Sequence, residues 1–155
     1  MTRGGWILAA LLLSASIPLA TAEFGSTASA GERYLPQLGD LMNAAQSRHM
    51  KLYFAGKAQN WDLAAYEVEH LRESLVQAAE LYGGIPVTNV TTMAEPLQAT
   101  EDAIKAKDGR KFASAVAELT GGCNACHQSM ERSFIAIRTP TDQPFGDQIF
   151  PPQKR

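Results

Sequence analysis

Two cysteines and a histidine stand close together near the end of the chain, in the run Cys123-Asn124-Ala125-Cys126-His127. Two thiols one helical turn apart can each form a thioether with a vinyl group of a haem, and the histidine that follows can then give its imidazole to the iron. The chain contains no other cysteine. The motif therefore predicts covalently bound haem c, with Cys123 and Cys126 as attachment residues and His127 as the proximal iron ligand.

Three other interpretations of the motif are a redox dithiol, half of a zinc site and a chance match. A thioredoxin-like C-x-x-C belongs to a βαβ unit, and the chain has almost none of the alternation that predicts strands. A zinc site needs two further ligands at a suitable spacing, and the sequence has neither a third cysteine nor an H-x3-5-H pair. Haem attachment is the interpretation that the sequence favours.

The N-terminus predicts export. Arg3 gives a short positive region, residues 6–13 form an apolar stretch too short to span a bilayer comfortably, and Ala20-Thr21-Ala22 is a small-x-small cleavage site. We expect a signal peptide over 1–22 and a mature chain that begins at Glu23 in the periplasm, the bacterial compartment in which haem is attached covalently. The alternative is that the apolar stretch stays uncleaved as a membrane anchor.

The composition narrows the range of partners. The chain of 155 residues has 14 basic and 16 acidic residues, a formal net charge of −2, and therefore no electrostatic footprint for nucleic acid. No stretch beyond the N-terminal one is long and apolar enough to cross a membrane, so we expect no stable membrane insertion after signal cleavage.

Apolar residues recur three and four positions apart in four segments, a spacing typical of amphipathic helices. The predicted helices cover Leu35 to about Lys57, Trp61 to Tyr82, Thr92 or Pro96 to Lys107, and about Lys111 to Ile137. Asn60 or Asp62 can cap the second helix. The second helix also carries Arg72 and four acidic residues, and we expect these side chains to form a solvated face. The acidic residues are Glu67, Glu69, Glu73 and Glu80.

Short connections between four helices predict an all-α fold, an antiparallel up-down-up-down four-helix bundle. The signal peptide is followed by an N-terminal lead over 23–34, the haem-binding bundle over 35–138 and an extended Pro-rich tail over 139–155. The tail has too many prolines for a helix, and its two phenylalanines suggest that part of it packs on the bundle.

A four-helix bundle with C-x-x-C-H deep in its last helix resembles the cytochrome c′ family. The run from Leu119 to His127 is similar to the haem-attachment stretch of those proteins. The resemblance covers the architecture of about residues 35–138, and only the attachment motif is sequence-specific. A shorter connection between the first two helices and the Pro-rich tail depart from the family pattern. The resemblance also suggests a homodimer.

In the resembled family the first helix approaches the iron on the side opposite the proximal histidine. That comparison points to Met42, and His49 lies two turns further along the same face. Imidazole is a strong haem ligand, and a helical side chain leans toward the helix N-terminus. We therefore expect His49 to be the sixth ligand, with Met42 and an open site as the alternatives.

These expectations lead to one preferred function and two alternatives. The preferred function is a periplasmic mono-haem electron carrier, which is not an enzyme and which works with redox partner proteins that the sequence does not identify. If the sixth site is open, the resemblance implies a five-coordinate binder of nitric oxide or carbon monoxide. A peroxidase would need a distal acid/base group, and only His49 could serve.

Overall fold

A computed structural model describes residues 34–85 and 87–154, and residues 87–90 by their backbone alone. The predicted signal peptide over 1–22, and all of the predicted lead up to residue 33, lie outside the described residues. Four helices and no strand occur in the described part of the chain. They are α1 (Leu38–Lys57), α2 (Trp61–Leu81), α3 (Val87–Lys105) and α4 (Gly109–Ser129). The all-helical prediction is confirmed.

Two of the helices are capped by side chains at their N-termini. The side chain of Asn60 accepts a hydrogen bond from the backbone N–H of Leu63 at 3.2 Å, which confirms Asn60 as the cap of α2. The side chain of Asp108 accepts from the backbone N–H groups of Arg110 and Lys111. These bonds satisfy N–H groups that have no partner inside a helix, so they define where α2 and α4 begin.

The third helix begins earlier than the sequence predicted. It starts at Val87, although both predicted starts, Thr92 and Pro96, lie inside it. A proline inside a helix lacks the N–H for one intrahelical bond, and this cost is the reason that a start near Pro96 was expected. The side-chain hydroxyl of Thr100 donates to the carbonyl oxygen of Pro96 at 2.8 Å. The helix thus continues through the proline.

The fourth helix ends two turns before the predicted end at Ile137. Glu131 has a φ of 58°, in the left-handed region, and the N–H of Arg132 donates to the carbonyl oxygen of His127 at 2.7 Å. This geometry stops the helix in the way that a left-handed C-terminal residue does. The apolar spacing through Phe134 to Ile137 was therefore misinterpreted as helical.

Each helix packs mainly against two others: α1 packs against α2 and α4, and α3 packs against α2 and α4. This arrangement is consistent with a helical bundle around one core. Leu52, Leu71, Val116 and Leu119 are almost completely buried at its centre. The backbone of α1 approaches α4 closely at Gly56, where an added Cβ would lie 2.1 Å from the Phe112 ring.

One residue of the predicted solvated acidic face is buried. Glu67 is only 2% exposed, and its carboxylate accepts a hydrogen bond from the Arg48 guanidinium at 3.1 Å. A buried carboxylate needs such a partner, because burial without one is strongly unfavourable. The assignment of Glu67 to a solvated face was wrong, since its partner lies on another helix and leaves no local signal in the sequence.

Residues 130–154 contain no helix. Phe150 is buried and packs against Phe54 of α1, with ring centroids 5.7 Å apart. The side-chain amide of Asn60 donates to the Phe150 carbonyl oxygen at 2.9 Å, and the ammonium of Lys51 lies 5.0 Å from the Phe145 ring centroid. Phe145 and Phe150 of the C-terminal segment thus lie against side chains of α1.

None of the helices in the described residues has both the length and the apolar character needed to cross a bilayer.

Candidate functional site

The three motif residues lie in the last two turns of α4 and line one cavity. This cavity has a volume of about 430 Å³, within the range of small-molecule sites, and it receives Cys123, Cys126 and His127 from α4. The other helices contribute mostly apolar side chains: Leu38, Met42 and Ala45 from α1, Leu71, Leu75 and Ala78 from α2, and Met93 from α3. A flat apolar cofactor held by the two cysteines would be shielded from water on several sides.

Two glycines precede the motif without interrupting α4. At Gly121 an added Cβ would meet no atom within 4 Å, whereas at Gly122 it would lie 2.7 Å from the Met93 sulfur. Gly122 therefore allows α3 to come close to α4 beside the cavity. Gly122 thus contributes to helix packing at this point, and neither glycine ends the helix.

The ring of His127 is held in a defined orientation. Its Nδ1 donates a hydrogen bond to the carbonyl oxygen of Ile135 at 2.8 Å, because a carbonyl oxygen can only accept. The Nε2 nitrogen then carries the lone pair of the neutral ring. A histidine that ligates a metal commonly donates its other ring N–H to a carbonyl or carboxylate, which fixes the tautomer and the ring plane. His127 has this arrangement.

The segment that supplies this carbonyl is fixed by a residue from inside the motif. Asn124 donates to the carbonyl oxygen of Ile137 at 2.8 Å and accepts from the N–H of Ile137 at 2.7 Å. The two bonds tie the chain beyond α4 back onto the helix. Asn124, Ile135 and Ile137 carry no motif signal in the sequence, because Asn124 occupies a variable position of C-x-x-C-H and the two isoleucines lie outside the motif.

The pKa of the Cys123 thiol is raised to about 11, mainly because burial disfavours the thiolate and also because Cys126 lies beside it. A redox-active dithiol needs a thiolate near neutral pH, which a lowered thiol pKa provides. The environment of Cys123 is the opposite of what a thioredoxin-like function requires. It suits a cysteine that faces an apolar cofactor.

His49 lies on the cavity wall and is 2% exposed. Its Nε2 is 2.8 Å from the Thr120 hydroxyl oxygen, which is itself 2.7 Å from the Val116 carbonyl oxygen. Because the single hydroxyl proton is used by that carbonyl, the Thr120 oxygen accepts from His49 Nε2. The other nitrogen, Nδ1, is buried and has no hydrogen-bond partner among the described residues.

Burial lowers the pKa of His49 below its ordinary value of 6.5, so the ring is neutral at neutral pH. Met42, the other sixth-ligand candidate, is half-buried and lines the same cavity. The structure thus brings all five predicted site residues to one cavity: Met42, His49, Cys123, Cys126 and His127.

The side chains that line the cavity limit what it could hold. Within the described residues, no group of three or more histidine, cysteine, aspartate or glutamate side chains is arranged to hold a metal ion directly. The paired thiols, the oriented imidazole and the apolar lining are the groups that a covalently bound haem requires, so these residues fit that cofactor.

Comparison of the chain with protein-family models, with curated proteins and with solved structures found no match.

Proposed function

We propose that this protein is a mono-haem c-type cytochrome that carries electrons. Cys123 and Cys126 would hold haem c through thioethers, and His127 would ligate the iron through Nε2. The proposal depends above all on the His127–Ile135 hydrogen bond, because it leaves Nε2 available in a cavity that both cysteines line. When bound, the haem would supply an iron that alternates between its ferrous and ferric states.

We also propose an antiparallel up-down-up-down bundle with a Pro-rich tail packed on it. Two contacts between α1 and α4 support this topology. Gly56 lies against Phe112, and His49 lies against Thr120, so residue numbers rise along α1 as they fall along α4. The buried Phe150 supports a packed tail.

The register between α1 and α4 that these two contacts indicate helps to choose between the candidates for the sixth iron ligand. Met42 precedes His49 by about two turns on α1, and His127 follows Thr120 by about two turns on α4. If the helices are antiparallel, Met42 lies at the level of His127, whereas His49 lies roughly 10 Å away along the helix axis. In addition, the Nε2 of His49 is already bonded to Thr120. We therefore propose Met42 as the sixth ligand, ahead of His49.

The apolar lining supports an alternative function. If neither the Met42 thioether nor another side chain of the cavity binds the iron, the iron would be five-coordinate. The protein would then bind nitric oxide or carbon monoxide at the open position. This alternative differs from the electron carrier in spin state and in its reaction with carbon monoxide.

Absorption spectra of the purified protein and of three variants test the proposal. The unsubstituted protein should be low-spin in both oxidation states and should not react with carbon monoxide at once. Met42→Leu should give a high-spin iron that binds carbon monoxide, since leucine keeps the volume but has no sulfur. His49→Ala should stay low-spin, as should Met50→Leu, a control on the same helix.

Three outcomes would contradict this assignment. A high-spin iron in His49→Ala with a low-spin iron in Met42→Leu would identify His49 as the ligand. A high-spin iron in the unsubstituted protein would support the gas-binding alternative. A protein that never retains haem would reject both functions.

We propose that the mature protein begins at Glu23 and works in the periplasm, supported by the cleavage site at Ala20–Ala22. Intact-mass measurement of a periplasmic fraction should give an N-terminus at Glu23. Recovery only from membranes, with Met1 retained, would contradict export by signal cleavage.

A further inference from the structure

One side chain that lines the cavity carries a permanent charge. Among the described residues of the cavity wall, Arg132 is the only arginine, lysine, aspartate or glutamate, and it is also exposed to water. Asn43 and Gln46 of α1 likewise line the cavity and are exposed. These three residues therefore mark the mouth of the cavity, whereas most of the other lining side chains are apolar.

The backbone of Arg132 is fixed beside the proposed iron ligand. Its N–H donates to the carbonyl oxygen of His127 at 2.7 Å, and its own carbonyl oxygen accepts from the N–H of Ile135 at 2.8 Å. The carbonyl oxygen of Ile135 in turn accepts the hydrogen bond of His127 Nδ1. Arg132 is thus held at the end of the cavity that contains His127.

The guanidinium group of Arg132 forms no ion pair with a carboxylate within the described part of the chain. Its two hydrogen bonds, at 3.4 and 3.2 Å, both run from Nη1 to the carbonyl oxygens of Met130 and Glu131. Because Nε and Nη2 also carry N–H donors, the planar guanidinium can still bind a carboxylate through two parallel hydrogen bonds.

Two basic residues of α1 are engaged by other groups. The Arg48 guanidinium donates to the buried Glu67 carboxylate at 3.1 Å, and the ammonium of Lys51 lies 5.0 Å from the Phe145 ring centroid. Neither residue lines the cavity. Arg132 is therefore the cation best placed to meet an anionic group of a molecule bound there.

We propose that Arg132 binds a propionate of the haem and thereby selects a tetrapyrrole with free carboxylates. The inference rests on the proposed haem-binding function and adds the residue that recognises the anionic edge of the cofactor. A haem is an apolar ring whose propionates are charged at neutral pH. The apolar walls match the ring, and a cation at the mouth offsets the cost of moving a carboxylate out of water.

A comparison of haem with haem dimethyl ester tests this pairing, because the ester has the same ring and iron but no charged propionate. The full chain with Cys123→Ala and Cys126→Ala should bind both compounds without thioethers, and absorption titrations give the two dissociation constants. Adding Arg132→Gln should weaken haem binding about five- to fiftyfold, the range for loss of a partly exposed hydrogen bond between charged groups. Binding of the ester should not change.

Arg138→Gln is the matched control, since Arg138 is another exposed arginine beyond α4 and does not line the cavity. It should change neither dissociation constant. A second measurement uses the protein with covalently bound haem. Arg132→Gln should lower the midpoint reduction potential, because loss of a positive charge beside the cofactor favours ferric iron. Arg138→Gln should change the potential much less.

Equal weakening of haem and ester binding by Arg132→Gln would overturn the proposal, because it would show a packing role that does not involve the propionates. An unchanged affinity for haem would also overturn it. If the chain without the two cysteines binds neither compound, the reduction potential decides, and an unchanged potential in Arg132→Gln would overturn the proposal. A protein that never retains haem would instead reject the proposed function, and this inference with it.

Discussion

The Nδ1 nitrogen of His127 lies 2.8 Å from the carbonyl oxygen of Ile135, a residue beyond the end of the helix that carries His127. The hydrogen bond links the proposed iron ligand to the chain that follows α4, residues 130–138, which we call the return segment. Any change that releases the return segment should therefore also change the orientation of the imidazole. Asn124, which holds the same segment, makes this dependence testable without altering the ligand itself.

Asn124→Ala should lower the free energy of unfolding by about 1–3 kcal/mol, because it removes two hydrogen bonds that each contribute about 0.5–1.5 kcal/mol. Denaturant unfolding measures the loss. Gln128→Ala, an exposed change one turn further along α4, is the matched control and should have an effect within about 0.5 kcal/mol. Equal stabilities of the two variants would mean that the Asn124 bonds do not hold the segment.

Gly56→Ala should destabilise the protein by about 1–3 kcal/mol, the usual cost of overpacking, because the new methyl group would overlap the Phe112 ring. Gly121→Ala should instead stabilise it by about 0.5–1 kcal/mol, since alanine favours a helix and the space there is open. Thermal unfolding should show a lower midpoint temperature for Gly56→Ala and a higher one for Gly121→Ala than for the unsubstituted protein. A stable Gly56→Ala would contradict the close approach of α1 and α4.

The sequence predicted the elements that depend on local signals. Three- and four-residue spacing identified four helices, and the cap at Asn60 follows from a side chain three residues from its N–H donor. The end of α4 was missed because Phe134 and Ile137 continue the apolar spacing, while the left-handed Glu131 that ends the helix has no such signal. Glu67 was misassigned because its partner, Arg48, is on another helix.

The unfolding free energy should depend on the protonation of His49. Burial lowers its pKa below 6.5, so at pH values between the lowered pKa and 6.5 the unfolded chain binds a proton that the folded protein does not. The contribution of His49 to stability is therefore fully present above pH 6.5 and is lost as the pH is lowered toward the pKa of the folded state. His49→Gln should lose this part of the pH dependence.

Denaturant unfolding at a series of pH values measures how the free energy of unfolding depends on pH in the unsubstituted protein and in His49→Gln. Replacing His70 by Gln is not an equivalent control, because His70 pairs with Glu73. Gln128→Ala, which alters an exposed and uncharged side chain, serves instead. Parallel pH profiles for His49→Gln and the unsubstituted protein would contradict a buried, proton-free His49.

Glu67→Ala should lower the free energy of unfolding by about 1–3 kcal/mol, because it leaves the Arg48 guanidinium without its carboxylate. Arg48 is partly exposed and can turn toward water, so the loss should stay below the roughly 3–5 kcal/mol of a fully buried pair. Glu69→Ala, at an exposed position of the same helix, should change stability by less than about 0.5 kcal/mol.

The motif residues of the candidate site could be predicted from the sequence, whereas the ranking of Met42 and His49 could not. Cys123, Cys126 and His127 follow from five adjacent positions, and periodicity alone puts Met42 and His49 on one face of α1. Which of them lies opposite His127 depends on the register between two helices. The His49–Thr120 contact indicates that register. The sequence favoured His49 because imidazole is a strong haem ligand, and ligand strength carries no information on the register.

The intact mass of the protein, purified from cells with a haem-attachment system, decides whether haem is bound covalently. We expect the mass of the chain from Glu23 plus one haem. The added mass should remain after acid-acetone extraction and should be absent when Cys123 and Cys126 are both replaced by alanine. The mass of the polypeptide alone, or a haem that extracts freely, would show that haem is not attached through the two cysteines.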